Sequence, residues 1–112
     1  MNKYGNRKTQ IDGITFASKH EAHRYVELKY LERIGMIRDL ELQKPFELIP
    51  SQKDESGKTA ERPVHYVADF VYFDHDGNLV VEDAKSPATR TDAYRLKKKM
   101  MRYFKGIAIR EV

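Results

Sequence analysis

One aspartate stands in the middle of the most apolar stretch of the chain, Val64-His65-Tyr66-Val67-Ala68-Asp69-Phe70-Val71-Tyr72-Phe73. Burying an unpaired carboxylate is costly, so Asp69 calls for hydrogen-bond donors or a cation. Strand alternation groups it with Val67, Val71 and Phe73. The next apolar stretch ends Val80-Val81-Glu82-Asp83-Ala84-Lys85. There Asp83 and Lys85 share a face with Leu79 and Val81, while Glu82 points the other way. A hairpin of the two stretches would bring Asp69 and Asp83 close enough to hold one divalent ion between them. Two carboxylates with a backbone carbonyl and water form an oxygen-rich set that suits Mg²⁺ or Mn²⁺. A lysine two residues beyond a metal ligand can stabilise charge on a phosphorane or orient the attacking water. The plain alternative is an Asp-Lys pair at a strand end, with Asp69 satisfied by backbone groups, and D-x-K alone is frequent in charged proteins.

These residues need elements to position them. Val64 to Phe73 and Leu79 to Ala84 read as antiparallel strands joined by the turn formers Asp74-His75-Asp76-Gly77-Asn78. Ser18-Lys19-His20-Glu21 matches a capping box, so a helix is expected after Ser18, with Ala22, Tyr25, Leu28 and Leu31 as its apolar stripe and Gly35 as its stop. Ile37 to Leu42 alternates as a strand, with Phe46 to Ile49 resuming it after an interruption at Pro45. Thr91 or Asp92 caps a second helix carrying Ala93, Tyr94, Leu96, Met100, Met101 and Phe104, stopped at Gly106. Ile107 to Val112 closes as a strand, parallel to its neighbour by a right-handed crossover. The order is helix, three strands, helix, strand. Residues 1–13 are expected as a flexible basic tail, within which Ile11 begins a short extended piece turning at Asp12-Gly13, and the polar residues 51–62 as an exposed loop.

The chain has 112 residues, enough for a single domain, 1–112, around one core. It has no cysteine, which removes disulfides, thiolate catalysis and sulfur-ligated zinc. No apolar run approaches the roughly 20 residues of a membrane span, and the first residues do not resemble a secretory signal, so a cytoplasmic location without membrane contact is expected. The net charge of +4 is unevenly spread: Lys85 to Arg110 holds nine bases and one acid, a local +8. Such a segment suits a polyanion such as DNA, although a solvated helix face would look the same on charge alone. Tyr94 and Lys97 fall on one side of the second helix, where they are candidates to bond phosphate. Arg95, Lys98 and Arg102 fall on another side and, with Lys99, suit non-specific backbone contacts; core packing competes for Tyr94. His20, His23, His65 and His75 are scattered and read as exposed residues rather than a zinc site. Asp74 to Asn78 reads as a turn rather than a calcium loop, because the twelfth position is Lys85. No phosphate-binding G-x-x-x-x-G-K-[ST] motif occurs.

An acid in a strand centre, a hairpin, D-x-K at a strand end and then a basic helix together resemble the PD-(D/E)XK nuclease superfamily. The segments Ser18-Lys19-His20-Glu21-Ala22, Tyr66-Val67-Ala68-Asp69-Phe70 and Val81-Glu82-Asp83-Ala84-Lys85 look like those of its small phage-encoded endonucleases, similar in outline to Holliday junction resolvases. The resemblance covers residues 14 to 112. It implies an α/β fold with a restriction-endonuclease-like core, a mixed central sheet flanked by helices. It also implies that Asp69 is the central metal ligand, Asp83 the second carboxylate, Lys85 the catalytic lysine and Ala84 the variable position whose carbonyl reaches the metal. Glu21 matches the first-helix glutamate that assists metal or water binding, the role favoured here because the first helix packs near the hairpin in this fold, although its place as third residue of the capping box would also explain it. The leading proline of the motif is replaced by Ala68.

The expectation is a divalent-metal-dependent endodeoxyribonuclease acting on branched or duplex DNA in phage recombination or replication, in the host cytoplasm. A chain this short leaves no room for a separate recognition domain, which favours recognition of DNA shape. Junction resolution needs two coordinated cuts and therefore a homodimer. Two other classes remain: a nucleic-acid-binding module that does no chemistry, and an interaction subunit using the same surface for a protein partner.

Overall fold

The computed structural model describes residues 8–112. Thr9–Ile11 (β1) and Ile14–Phe16 (β2) form a hairpin through Asp12 and Gly13, whose φ values of 54° and 76° match the turn that an Asp-Gly pair favours. Residues 9–13 are therefore not a loose tail. Ile11, Ile14 and Phe16 pack against the first helix, and the Tyr25 hydroxyl donates to Asp12 at 2.9 Å. The first seven positions of the expected tail lie outside the described residues.

The first helix, α1 (Lys19–Arg33), starts where Ser18 Oγ accepts the Glu21 N–H at 3.1 Å and buries Glu21, Ala22, Tyr25 and Leu28. Strand β3 spans Arg38–Ile49 without breaking at Pro45. The proline is tolerated because β3 is an edge strand of its sheet, so its missing N–H costs no ladder bond on the open side. Between them, Gln52–Lys53 (β4) and Thr59–Glu61 (β5) make a small exposed ribbon within the expected loop. Strands β6 (Val64–Phe73) and β7 (Leu79–Asp83) pair antiparallel. After a 3₁₀ turn at Pro87–Thr89, Thr91 caps the second helix, α2 (Asp92–Lys105), which ends at Gly106 with φ 67°. Gly106 suits that left-handed position because it has no Cβ. The final strand, β8 (Arg110–Glu111), is shorter than Ile107 to Val112 and runs parallel to β7.

Among the described residues the fold is thus mixed α/β, with two α-helices and a mixed sheet of four strands in the order β3, β6, β7, β8. Each face of the sheet carries its own apolar cluster. Phe16, Ala22, Tyr25, Leu28, Phe70, Tyr72 and Val80 pack on the α1 side. Leu48, Tyr66, Ala68, Val71, Val81, Tyr94, Met101 and Ile109 pack on the α2 side. Among the described residues, no helix is long and apolar enough to cross a membrane.

Candidate active site

Strands β6 and β7 separate at Asp69. Their ladder runs from Phe73 opposite Leu79 to Phe70 opposite Glu82. Beyond that point β6 continues against β3, and Asp83 pairs with Glu111 of β8. The fork changes which way side chains face. Tyr66, Ala68 and Val71 share the α2-side cluster, whereas Phe70 and Tyr72 belong to the α1-side cluster. Regular alternation would put residues 66, 68, 70 and 72 together, so it breaks at Asp69. This corrects the expectation that Asp69 shares one face with Val67, Val71 and Phe73.

In the fork, Asp69 Oδ2 accepts the Ala84 N–H at 2.9 Å and Oδ1 accepts Gln43 Nε2 at 3.1 Å. The carboxyl groups of Glu21 and Asp83 both feel the Asp69 carboxylate. The same Gln43 nitrogen lies 3.3 Å from Glu21 Oε1, and the Ala17 N–H donates to Glu21 Oε2 at 3.0 Å. Of the two roles expected of Glu21, the structure bears on the cap, which it shows in altered form. Its carboxylate secures backbone at the start of α1, at Ala17 rather than at Ser18, and also joins the acidic cluster.

Burial, followed by the neighbouring Asp69 carboxylate, raises the Glu21 carboxyl from 4.5 to about 7. The same causes in the same order raise Asp83 from 3.8 to about 7, against the lowering influence of Tyr66 and Lys85. The Tyr66 hydroxyl donates to Asp83, and burial and then that carboxylate push its own ionisation well above the ordinary range. Lys85 Nζ lies 4.0 Å from Asp83 Oδ2 and 4.2 Å from the centre of the Tyr94 ring. The ring face holds the ammonium beside the carboxylate.

Among the described residues, no group of three or more His, Asp or Glu side chains stands in an arrangement that could hold a metal ion. The donor chemistry nevertheless suits a hard cation. Asp69 and Asp83 offer carboxylate oxygens and Glu21 offers a third, and burial and then the mutual proximity of the acids raise Glu21 and Asp83 to about 7, a penalty that a cation would relieve. Ala84 engages Asp69 through its N–H.

Members of the acidic cluster line two clefts. One includes Phe16, Ala17, Glu21, Gln43 and Asp69 in its lining, and the other includes Tyr66, Asp83, Lys85, Tyr94 and Lys97. Lys97 thus lies beside the acids. Tyr94 is 7% exposed, packs in the α2-side cluster and donates its hydroxyl to Glu111 at 2.8 Å, in keeping with the core role that competed with phosphate contact. Lys98 pairs with Glu111 at 3.3 Å and Arg95 with Asp92 at 3.4 Å. Lys99 and Arg102 are exposed on α2. His20 contacts the Val112 carbonyl at 2.6 Å through Nε2.

Sequence reasoning missed Gln43, Tyr66 and Ala17. Gln43 lies opposite Asp69 in the register and has a φ of 51°, but its sequence neighbourhood gives no sign of this. Tyr66 could have been suspected, because a hydroxyl within an apolar strand needs a partner. A family profile described as "Protein of unknown function (DUF1064)" matches residues 1–110. No curated protein and no solved structure matches the chain.

Proposed function

The chain belongs to the family of unknown function DUF1064, and from that premise we propose that it is a Mg²⁺- or Mn²⁺-dependent DNA endonuclease selective for branched DNA. The observation that carries this reading is the fork. Asp69 sits where two strands part, with Asp83 and Glu21 against it and Lys85 beside Asp83. The order α1, β3, β6, β7, α2, β8 supports a restriction-endonuclease-like core.

Asp69 and Asp83 would hold the ion, with Glu21 alongside. When bound, the metal supplies Lewis acidity toward the phosphate and lowers the pKa of a water. The remaining work falls to the chain's own groups. Gln43 and the Ala84 N–H orient Asp69, and Tyr66 orients Asp83. Lys85, held against Tyr94, presents positive charge to the developing phosphorane oxygens. Lys97, in the same cleft, would neutralise a neighbouring backbone phosphate.

Cleavage of labelled four-way junction, flap, nicked and plain duplex DNA with Mg²⁺ or Mn²⁺ tests the proposal, with Asp83→Ala as control. Metal-dependent cutting that favours branched substrates and disappears in the variant is expected. Equal cutting by the variant would overturn the assignment. A second reading, a DNA-binding module without chemistry, is favoured by the lack of a ready metal-holding group among the described residues. Tight binding with no cutting under either metal would establish it.

A further inference from the structure

Once Ala22, Tyr25 and Leu28 are buried against the sheet, α1 would be expected to turn a polar face to solvent. It does not. Val26, Tyr30 and Ile34, spaced four residues apart, are 49%, 55% and 52% exposed along the outer face. A shallow groove lined by Val26, Glu27, Tyr30, Leu31 and Arg33 runs over this surface. Single exposed apolar residues are ordinary and need no explanation, but a continuous stripe is different.

The stripe is symmetric about Tyr30. Val26 lies four residues before it and Ile34 four after; Glu27 lies three before it and Arg33 three after. Among these five residues, reversing the helix superimposes Val26 on Ile34 and Glu27 on Arg33, apolar on apolar and acid on base. A two-fold axis makes that demand, since residue i of one copy must suit residue j of the other.

We propose that the outer face of α1 is a homodimer interface, in which a second copy of this chain packs antiparallel with the two Tyr30 side chains meeting at the axis. Val26 of each copy then meets Ile34 of the other, and Glu27 meets Arg33, giving two apolar contacts and two ion pairs from one repeated surface. The Arg33 guanidinium, 5.9 Å from the centre of its own Tyr30 ring, already lies over the aromatic surface at the axis. The interface is independent of the nuclease reading, because two copies can pair whether or not the acidic site cuts DNA.

Sedimentation equilibrium of the full chain, with circular dichroism to verify folding, tests the proposal. The wild type is expected to self-associate at micromolar concentrations, and Tyr30→Asp to be monomeric. Glu27→Arg replaces both ion pairs by like-charge contacts and is expected to weaken association about tenfold. The double variant Glu27→Arg/Arg33→Glu restores both pairs and is expected to recover the wild-type constant to within about threefold. A wild type that stays monomeric up to about 100 μM would overturn the interface. So would a Tyr30→Asp variant that dimerises like the wild type, or a double variant no tighter than Glu27→Arg. A dimer with this behaviour but no nuclease activity would leave the interface standing and remove only the catalytic reading.

Discussion

Arg24 grips Glu82 with two hydrogen bonds, Nε to Oε1 at 2.8 Å and Nη2 to Oε2 at 2.6 Å. Glu82 is fully buried and also accepts from the Tyr72 hydroxyl, with Arg110 3.8 Å away. The Glu82 bond and charge hold the Arg24 guanidinium above its ordinary pKa despite burial. Arg24 lies one turn after Glu21, and Glu82 immediately precedes Asp83. The pair therefore links the two elements that carry the outer members of the acidic cluster.

Removing Arg24 should leave a buried carboxylate without its cation. Arg24→Ala is expected to lose about 3 kcal/mol of stability, and Glu82→Gln less, because the amide can still accept from Arg24. Urea unfolding of both variants measures the difference, and equal losses would show that charge, rather than the retained hydrogen bond, carries the pair.

The acidic cluster should make stability fall as pH rises. Glu21 and Asp83 titrate near 7 in the folded protein, against 4.5 and 3.8 ordinarily. Between those limits the folded state holds more protons than the unfolded chain, so raising the pH favours unfolding. In EDTA, the Tm is expected to drop by at least about 4 °C between pH 5 and pH 8. Mg²⁺ should reduce that drop, and thermal melts with and without it provide the check.

Lys85→Ala should separate chemistry from binding. Loss of a single charge-stabilising group typically lowers turnover about 10²- to 10³-fold. Single-turnover cleavage should show that loss while DNA affinity changes little. A proportional loss of affinity would place Lys85 in binding instead.

Of the α2 bases, Lys97 and Lys98 should differ. Lys97→Ala is expected to weaken DNA binding and reduce the slope of log affinity against log salt by about 0.9, the signature of one lost phosphate contact. Lys98→Ala, which removes a partner of Glu111, should leave that slope nearly unchanged. Titrations at several salt concentrations distinguish the two.

Gln43 carries both a backbone and a side-chain role. Gln43→Gly should relieve the left-handed φ of 51° and therefore be about 1 kcal/mol more stable than Gln43→Ala. Both variants should cleave poorly, since neither bridges Glu21 and Asp69. Unfolding curves and cleavage assays on the pair check the two roles separately.

Local signals made much of this arrangement legible. Ser18, Gly35, Thr91 and Gly106 marked helix ends because capping is short-range chemistry, and the Asp74 to Asn78 turn marked the hairpin. Asp69, Asp83 and Lys85 stood out because charge in an apolar strand demands compensation. The break in alternation at Asp69 was not legible, since it follows from where β7 leaves β6 rather than from residue type. Pro45 suggested an interruption because nothing local tells an edge strand from a central one. Tyr94 drew notice as a polar tip near basic residues, but Glu111, seventeen positions away, claims its hydroxyl.

The edge position of β3 has a further consequence. A 12-residue border strand would ordinarily be a template on which another chain could add as an extra strand. Here Asp39 and Gln43 bend its backbone into left-handed conformations, Pro45 removes a donor, and Arg38, Asp39, Glu41 and Glu47 are exposed along it. A neighbouring molecule approaching that border finds no continuous run of hydrogen-bonding groups, so the longest strand of the fold is protected against uncontrolled sheet growth.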